Sequence, residues 1–160
     1  TRERLAARGF EAYEISNFAR SERRCEHNVN YWRNGTYLGL GPSAVSKLGT
    51  TRSGNIKGTG SYVRAIRQKG SARAWEETPT PENRLAETWW LGLRLREGLA
   101  ADEARTAAGF EAAEDPALPI AEELAAQGLL EPIAERFRLT ARGLPLADWV
   151  AKRFLDRVRS

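Results

Sequence analysis

Helix boundary signals in the second half of the chain constrain its fold more than any other feature. Thr80 is a good N-cap residue and Pro81 suits the first helical position, so we predict a helix from Pro81 to about Arg96, closed by Gly98. Further helices are predicted over about 101–108 and 117–127, and a last one from the cap Thr140 to about Arg157. The apolar faces of the first and last helices comprise Leu85, Trp89, Leu93, Leu144, Ala147, Val150, Ala151 and Phe154.

A small β-hairpin is predicted between these helices, over residues 129–131 and 136–139. Three helices, a hairpin and a last helix form a winged-helix-like order, which makes a nucleic-acid-binding module one possible function. The recognition helix would be 117–127, which has no Lys or Arg and contains two Glu. Because DNA affinity rests largely on neutralised phosphates, nucleic acid is not the expected partner, and a protein-contact or lid role is favoured.

The first half of the chain predicts a β/α unit. A helix over 1–8 ends at Gly9, and a strand follows over 10–15, in which Glu14 is an unusual residue. Residues 16–36 are polar and Arg-rich and are predicted to form a long loop, while 49–60 form a hairpin or an irregular crossing. A short helix over 61–69 ends at Gly70, and a boundary is expected near 71–80. The predicted fold class is therefore α+β.

Charge is unevenly distributed between the two halves. Residues 1–75 contain 14 Lys and Arg against 5 Asp and Glu, whereas residues 76–160 contain 11 against 16. This contrast predicts two modules, the basic one suited to an anionic ligand, although an arginine-rich solvated surface is an equal alternative.

The single cysteine and the single histidine stand two residues apart, at Cys25 and His27, beside Tyr31 and Trp32. Thiol and imidazole are the side chains that best bind a soft or borderline metal. An extended backbone would place both on one side, about 6–7 Å apart. A closed zinc site is not expected, because it needs four such ligands.

Other features limit the cellular setting. No run of 18 apolar residues occurs, so no membrane span is expected. A lone cysteine fits a reducing cytoplasm. The chain has no Met and starts at Thr, which suggests a piece of a longer protein.

Three segments resemble one family: 13–19 (Tyr-Glu-Ile-Ser-Asn-Phe-Ala), 25–32 (Cys-x-His-Asn-x-x-Tyr-Trp) and 37–41 (Tyr-Leu-Gly-Leu-Gly). They are similar to the oxygen-independent coproporphyrinogen III oxidase-like branch of the radical SAM enzymes, and within it to heme chaperones of HemW type. The motif His-Asn-x-x-Tyr-Trp marks that group and is associated with heme binding. Residues 82–150 also resemble the family's C-terminal domain.

The resemblance implies a domain layout. Residues 1–70 would be the C-terminal part of the radical SAM partial (β/α) barrel, and 78–160 a HemN C-terminal-like, helical, winged-helix-like domain. The family's Cys-x3-Cys-x2-Cys motif for a [4Fe–4S] cluster is absent. The cluster and S-adenosyl-L-methionine (SAM) are therefore expected in the intact parent, and no catalytic residue is assigned to this chain.

The same resemblance implies the site residues. His27 would be the metal ligand, on heme iron, with Cys25 as a weaker candidate. Asn28 would fix the backbone or orient the imidazole, and Tyr31 and Trp32 would stack on the macrocycle or pack in the core. The nearby arginines that could pair with heme propionates are Arg20, Arg23, Arg24 and Arg33.

Val45 would lie against the SAM adenine or serve as a core residue. HemW-type chains often have His at that position, and Ser43-Ala44-Val45-Ser46 is closer to the oxidases.

The expected function is that of a cytoplasmic heme chaperone, whose partners would be heme or a porphyrin and a recipient apo-hemoprotein. The first alternative is an oxygen-independent coproporphyrinogen III oxidase, a radical SAM oxidoreductase of tetrapyrrole biosynthesis. The second is the winged-helix nucleic-acid-binding module.

Overall fold

The computed structural model describes residues 2–111 and 115–157. Their chain forms two compact units: the described parts of residues 1–34 and 81–160 make unit 1, and residues 35–80 make unit 2. Mixed α and β structure occurs in both, in agreement with the predicted α+β class. The predicted family domains, residues 1–70 and 78–160, have other boundaries than these two compact units, and that division stays a prediction.

The N-terminal part of unit 1 begins with α1 (Arg2–Ala6), β1 (Glu11–Ala12), β2 (Phe18–Ala19) and α2 (Glu26–Trp32). The predicted strand over 10–15 is shorter than expected. The backbone N–H groups of Tyr13 and Glu14 both bond to the Asn17 carbonyl, so the chain turns there and the ladder ends. Only Glu11 and Ala12 pair with β2, in antiparallel register.

Unit 2 contains a three-stranded antiparallel sheet in the order β3-β4-β5, formed by β3 (Val45–Leu48), β4 (Thr51–Asn55) and β5 (Arg73–Glu77). The β3–β4 pair is the hairpin expected within 49–60, although it begins at Val45. Helix α3 (Thr59–Lys69) connects β4 to β5 and ends at Gly70, which confirms the predicted helix and its C-cap.

The C-terminal part of unit 1 comprises α4 (Pro81–Gly92), β6 (Leu99–Ala100), α5 (Ala101–Ala108), α6 (Leu118–Ala126), β7 (Leu130–Ile133), β8 (Arg136–Leu139) and α7 (Ala147–Arg157). A 3₁₀ turn at Leu144–Leu146 precedes α7, so the last helix starts later than Thr140. The strands pair in the antiparallel order β6-β8-β7. Helix α4 ends at Gly92 rather than near Arg96, because Leu95 forms a β-bridge with Glu14, which requires extended backbone.

The core of unit 1 lies between α4 and α7. Leu85, Trp89 and Phe154 are fully buried, and the Trp89 and Phe154 rings stack at 5.1 Å. These residues belong to the apolar faces predicted from the helical period. Among the described residues, no helix has the length and apolar content needed to cross a membrane.

Candidate functional site

Helix α2 contains the Cys-x-His-Asn-x-x-Tyr-Trp motif and is the centre of the candidate site. Cys25 has extended backbone angles, with φ −75° and ψ 102°, and its carbonyl accepts the first helical bond from Val29. Glu26 in the first turn interacts favourably with the helix dipole. The prediction of a long loop over 16–36 is therefore wrong for this segment.

The exposed face of α2 presents His27 and Tyr31. They stand four residues apart, so a helix brings them onto one face. Their rings meet edge to face, with centroids 4.9 Å apart and planes at 88°. Tyr31 is 37% exposed and His27 is also exposed, so solvent reaches the imidazole.

Cys25 is exposed and lies at the N-cap of α2 rather than in an extended run with His27. The placement of both side chains on one side required extended backbone over residues 25–27, and this condition is not met because the helix begins at Glu26. No described group of three or more His, Cys, Asp and Glu side chains is arranged to hold a metal ion. Heme iron needs only one protein ligand on a given face.

The opposite face of α2 is fixed to the protein. Val29 is buried in a small cluster with Tyr13 and Ala19, and the Asn28 Nδ2 donates to the Tyr13 hydroxyl at 3.0 Å. Asn28 thus bonds a side chain fifteen residues earlier rather than the imidazole. This contact links the motif at 13–19 to the motif at 25–32.

Trp32 lies over an arginine. The Arg94 guanidinium carbon is 4.5 Å from the Trp32 ring centroid, which is a favourable cation–π distance. The Trp32 Nε1 is buried and has no hydrogen-bond partner. Trp32 is half-buried, so its packing role is visible in the structure, while stacking on a macrocycle stays a prediction.

Arg94 is in turn held by Glu14, which is completely buried. Arg94 donates to Glu14 Oε1 at 2.8–2.9 Å, and Glu14 Oε2 accepts from the Ser16 backbone and the Asn17 amide. Burial raises the pKa of Glu14, but these hydrogen bonds outweigh it and hold the pKa below its usual range. Glu14 is therefore an ionised, fully bonded carboxylate.

A second carboxylate, Glu97, bonds the arginines at both ends of α2. Arg24 donates to its Oε2 at 2.9 Å and Arg33 to its Oε1 at 2.8 Å. Burial by itself raises the pKa of Glu97. The hydrogen bonds and positive charges of Arg33 and Arg24 lower it by more, so the pKa of Glu97 lies below its usual range. In this structure, the two ion pairs place Arg24 and Arg33 beside the Glu97 carboxylate.

A cavity of about 660 Å³ lies beside Arg33 and Glu97 within unit 1. Its wall also contains the ion-paired Glu103 and Arg136, and it includes apolar groups such as Leu95 and Leu99. Such a mixed, concave lining suits a ligand with an apolar body and a few polar groups.

Val45 lies in unit 2, in β3, and is 36% exposed. Gly39 packs so closely on the Val45 backbone that a Cβ at position 39 would overlap the Val45 carbonyl. This close approach was expected from the glycines around residue 41. The roles of Val45 toward adenine and of His27, Asn28, Tyr31, Trp32 and Cys25 toward heme stay predictions.

Sequence reasoning missed three residues that hold α2: Arg94, Glu97 and Tyr13. The unusual Glu14 in an apolar stretch was the one signal available, because a buried carboxylate requires a partner. Its partner is eighty residues away, so the sequence did not identify it.

Similarity to known proteins covers nearly the whole chain. Residues 80–146 match the HemN C-terminal domain model. The "Heme chaperone HemW" of Mycobacterium tuberculosis is 36% identical over 95% of this chain and 37% of its own length. The proteins of that name from Bacillus subtilis and Escherichia coli are each 32% identical, over 97% and 94% of this chain and 41% and 39% of their own lengths.

Among solved structures, coproporphyrinogen III oxidase (HemN) from Escherichia coli, described as a radical SAM enzyme, matches with a TM-score of 0.68. The identity is 20%, and the match covers 95% of this chain and 38% of the other. That likeness concerns the fold. The chain spans about two fifths of the length of the curated relatives it matches.

Proposed function

We propose that the chain is the C-terminal portion of a radical SAM heme chaperone, like the HemW proteins to which it is similar, and that the parent protein binds heme and delivers it to apo-hemoproteins in the cytoplasm. Relatives named as heme chaperones, aligned over 94–97% of this chain, support the proposal. The lone thiol supports the reducing compartment.

The single observation on which the proposal depends is the exposed His27 imidazole on a helix fixed by its other face. Histidine is a common axial ligand of heme iron. Tyr31, one turn later, offers an aromatic face or edge to a flat macrocycle. Asn28 and Trp32 anchor the helix, so the imidazole is presented from a helix whose other face is held by contacts.

A [4Fe–4S] cluster does not fit the residues of this chain. Such a cluster is held by several thiolates, and the chain has one cysteine. In the proposal, the cluster and most of the SAM site belong to other parts of the parent protein. Val45 in unit 2 is the residue of this chain proposed to lie near the adenine.

The domain proposal has two parts. Residues 1–70 would complete a radical SAM barrel, and 78–160 would form a winged-helix-like domain that covers the heme site or meets the recipient. The HemN C-terminal domain match over 80–146 and the three-stranded sheet of β6, β8 and β7 support the second part.

The alternative is a coproporphyrinogen III oxidase. The sequence Ser43-Ala44-Val45-Ser46, which is closer to the oxidases, favours it. Anaerobic assay of the full-length, cluster-loaded protein for a vinyl tetrapyrrole product distinguishes the two. Nucleic-acid binding has less support, since α6 presents Glu122 and Glu123 and no basic residue.

Hemin titration tests the proposal. We expect the wild-type chain to bind hemin with a Soret band typical of histidine ligation, and His27→Ala to shift that band and weaken binding. Cys25→Ser is the matched control, and its spectrum should equal that of the wild type. An unchanged spectrum in His27→Ala would remove His27 as the ligand, and a change in Cys25→Ser alone would assign the thiolate instead.

A further inference from the structure

Arg24 and Arg33 bracket helix α2 and share one carboxylate. Arg24 directly precedes the N-cap residue Cys25, and Arg33 is the C-cap residue. Each guanidinium bonds a different oxygen of Glu97, at 2.9 and 2.8 Å. The two arginines are therefore spaced to hold one carboxylate between them.

These ion pairs are open to exchange. The side chains of Arg24 and Arg33 are 46% and 61% exposed, whereas that of Glu97 is 29% exposed. Exposed ion pairs contribute little net free energy, so another carboxylate can compete for the same guanidinium groups. Arg136 donates to the carbonyls of Glu97 and Gly98, which fixes the backbone independently of the Glu97 side chain.

The cavity beside Arg33 and Glu97 indicates that the ligand also has an apolar body. Arg33 and Glu97 lie on its wall, and Leu95, Leu99 and Ala107 supply apolar surface. A ligand that places a carboxylate on the arginines can therefore place an apolar body against the same wall.

We propose that Arg24 and Arg33 form a carboxylate-binding site which the Glu97 side chain occupies in this structure, and that a carboxylate of a porphyrin takes this site by displacing Glu97. Glu97 is thus an internal competitor that weakens porphyrin binding and eases release. The choice of a porphyrin as ligand rests on the proposed function, whereas the competition rests on the ion pairs.

Metal-free protoporphyrin IX is the probe, because it has two carboxylates and no iron for His27 to bind. Its affinity is measured by fluorescence titration and compared with that of its dimethyl ester, in the full chain. Glu97→Gln should bind the diacid about threefold to tenfold more tightly than the wild type, with no change for the diester. The matched control is Glu131→Gln, which removes an exposed carboxylate paired with Arg138 outside the cavity.

The double variant Arg24→Gln with Arg33→Gln should bind the diacid more weakly than the wild type. When these two changes are combined with Glu97→Gln, the gain in diacid affinity from Glu97→Gln should disappear. Circular dichroism checks that each variant is folded. If Glu97→Gln does not fold, the diacid affinity of the arginine double variant tests the proposal. Equal diacid affinity in the wild type and Glu97→Gln, an equal gain for the diester, or no loss in the arginine variant would overturn the proposal. Failure of His27 to ligate iron in the hemin titration would be a separate result, since this probe contains no iron.

Discussion

At the residue scale, Glu14 connects three segments of the candidate site: the turn at residues 14–17, the segment after α4 that contains Arg94 and, through Arg94, helix α2. Its carboxylate accepts bonds from Ser16, Asn17 and Arg94, and Arg94 supports the ring of Trp32. A completely buried carboxylate is costly unless every oxygen is bonded, and here both oxygens are. The ion pair of Glu14 with Arg94 therefore supports Trp32, and adds to the contacts of Val29 and Asn28 that hold α2.

Glu14→Gln should lower the free energy of unfolding by roughly 2–3 kcal/mol at pH 7, because Arg94 loses its buried counter-charge. The pKa of Glu14 is lowered in the folded chain from the usual 4.5. Its stabilising effect is thus complete above about that pH and is lost as the pH falls through the lower folded value. Urea unfolding across this pH range measures both effects.

The control for this variant is Glu103→Gln, which removes a half-exposed partner of Arg136 and should change stability by less than about 1 kcal/mol. Equal stability of Glu14→Gln and wild type at pH 7 would show that the ion pair does not hold the site. A difference that grows on acidification would contradict the lowered pKa.

At the element scale, the helices of the second half were predictable because their signals are local. Thr80, Pro81 and the glycines Gly98 and Gly128 mark boundaries within a few residues, and the apolar period identified the buried faces. Helix α2 was missed because it has no side-chain cap and little apolar period. Its stability comes from Val29, Asn28 and Trp32, whose partners lie on other segments.

Gly98→Ala tests the turn that positions Glu97. Gly98 has φ +72°, and a Cβ there would overlap the Phe137 carbonyl in β8. We expect a loss of roughly 2–5 kcal/mol in unfolding free energy, from the positive φ and from overpacking. Gly109→Ala is the matched control, since Gly109 has φ +60° with only a distant Arg84 side-chain atom nearby, and should lose about 1–2 kcal/mol.

Thermal or urea unfolding followed by circular dichroism compares the two glycine variants. If both lose the same stability, the close contact with β8 is unimportant and the turn is not rigid. A larger loss in Gly98→Ala, together with altered diacid binding, would connect the turn to the Glu97 carboxylate.

At the scale of the whole molecule, the charge contrast between the two halves does not coincide with the two compact units. Residues 1–34 contain 7 Arg against 5 Glu, so most of the basic excess lies in the part of the chain that forms unit 2. Within unit 1, the ion pairs of Glu97 with Arg24 and Arg33 join the N-terminal segment to the C-terminal part. The sequence predicted two modules from this contrast but not these ion pairs, because charge patterns do not specify partners across sixty residues.

The central claim is that His27 ligates heme iron, and isotope labelling tests it most directly. The chain has one histidine, so ¹⁵N-histidine labels position 27 alone. Pulsed electron paramagnetic resonance of the ferric heme complex should then show a ¹⁵N hyperfine coupling of an axial nitrogen. A spectrum with only the ¹⁴N couplings of the porphyrin would contradict the claim.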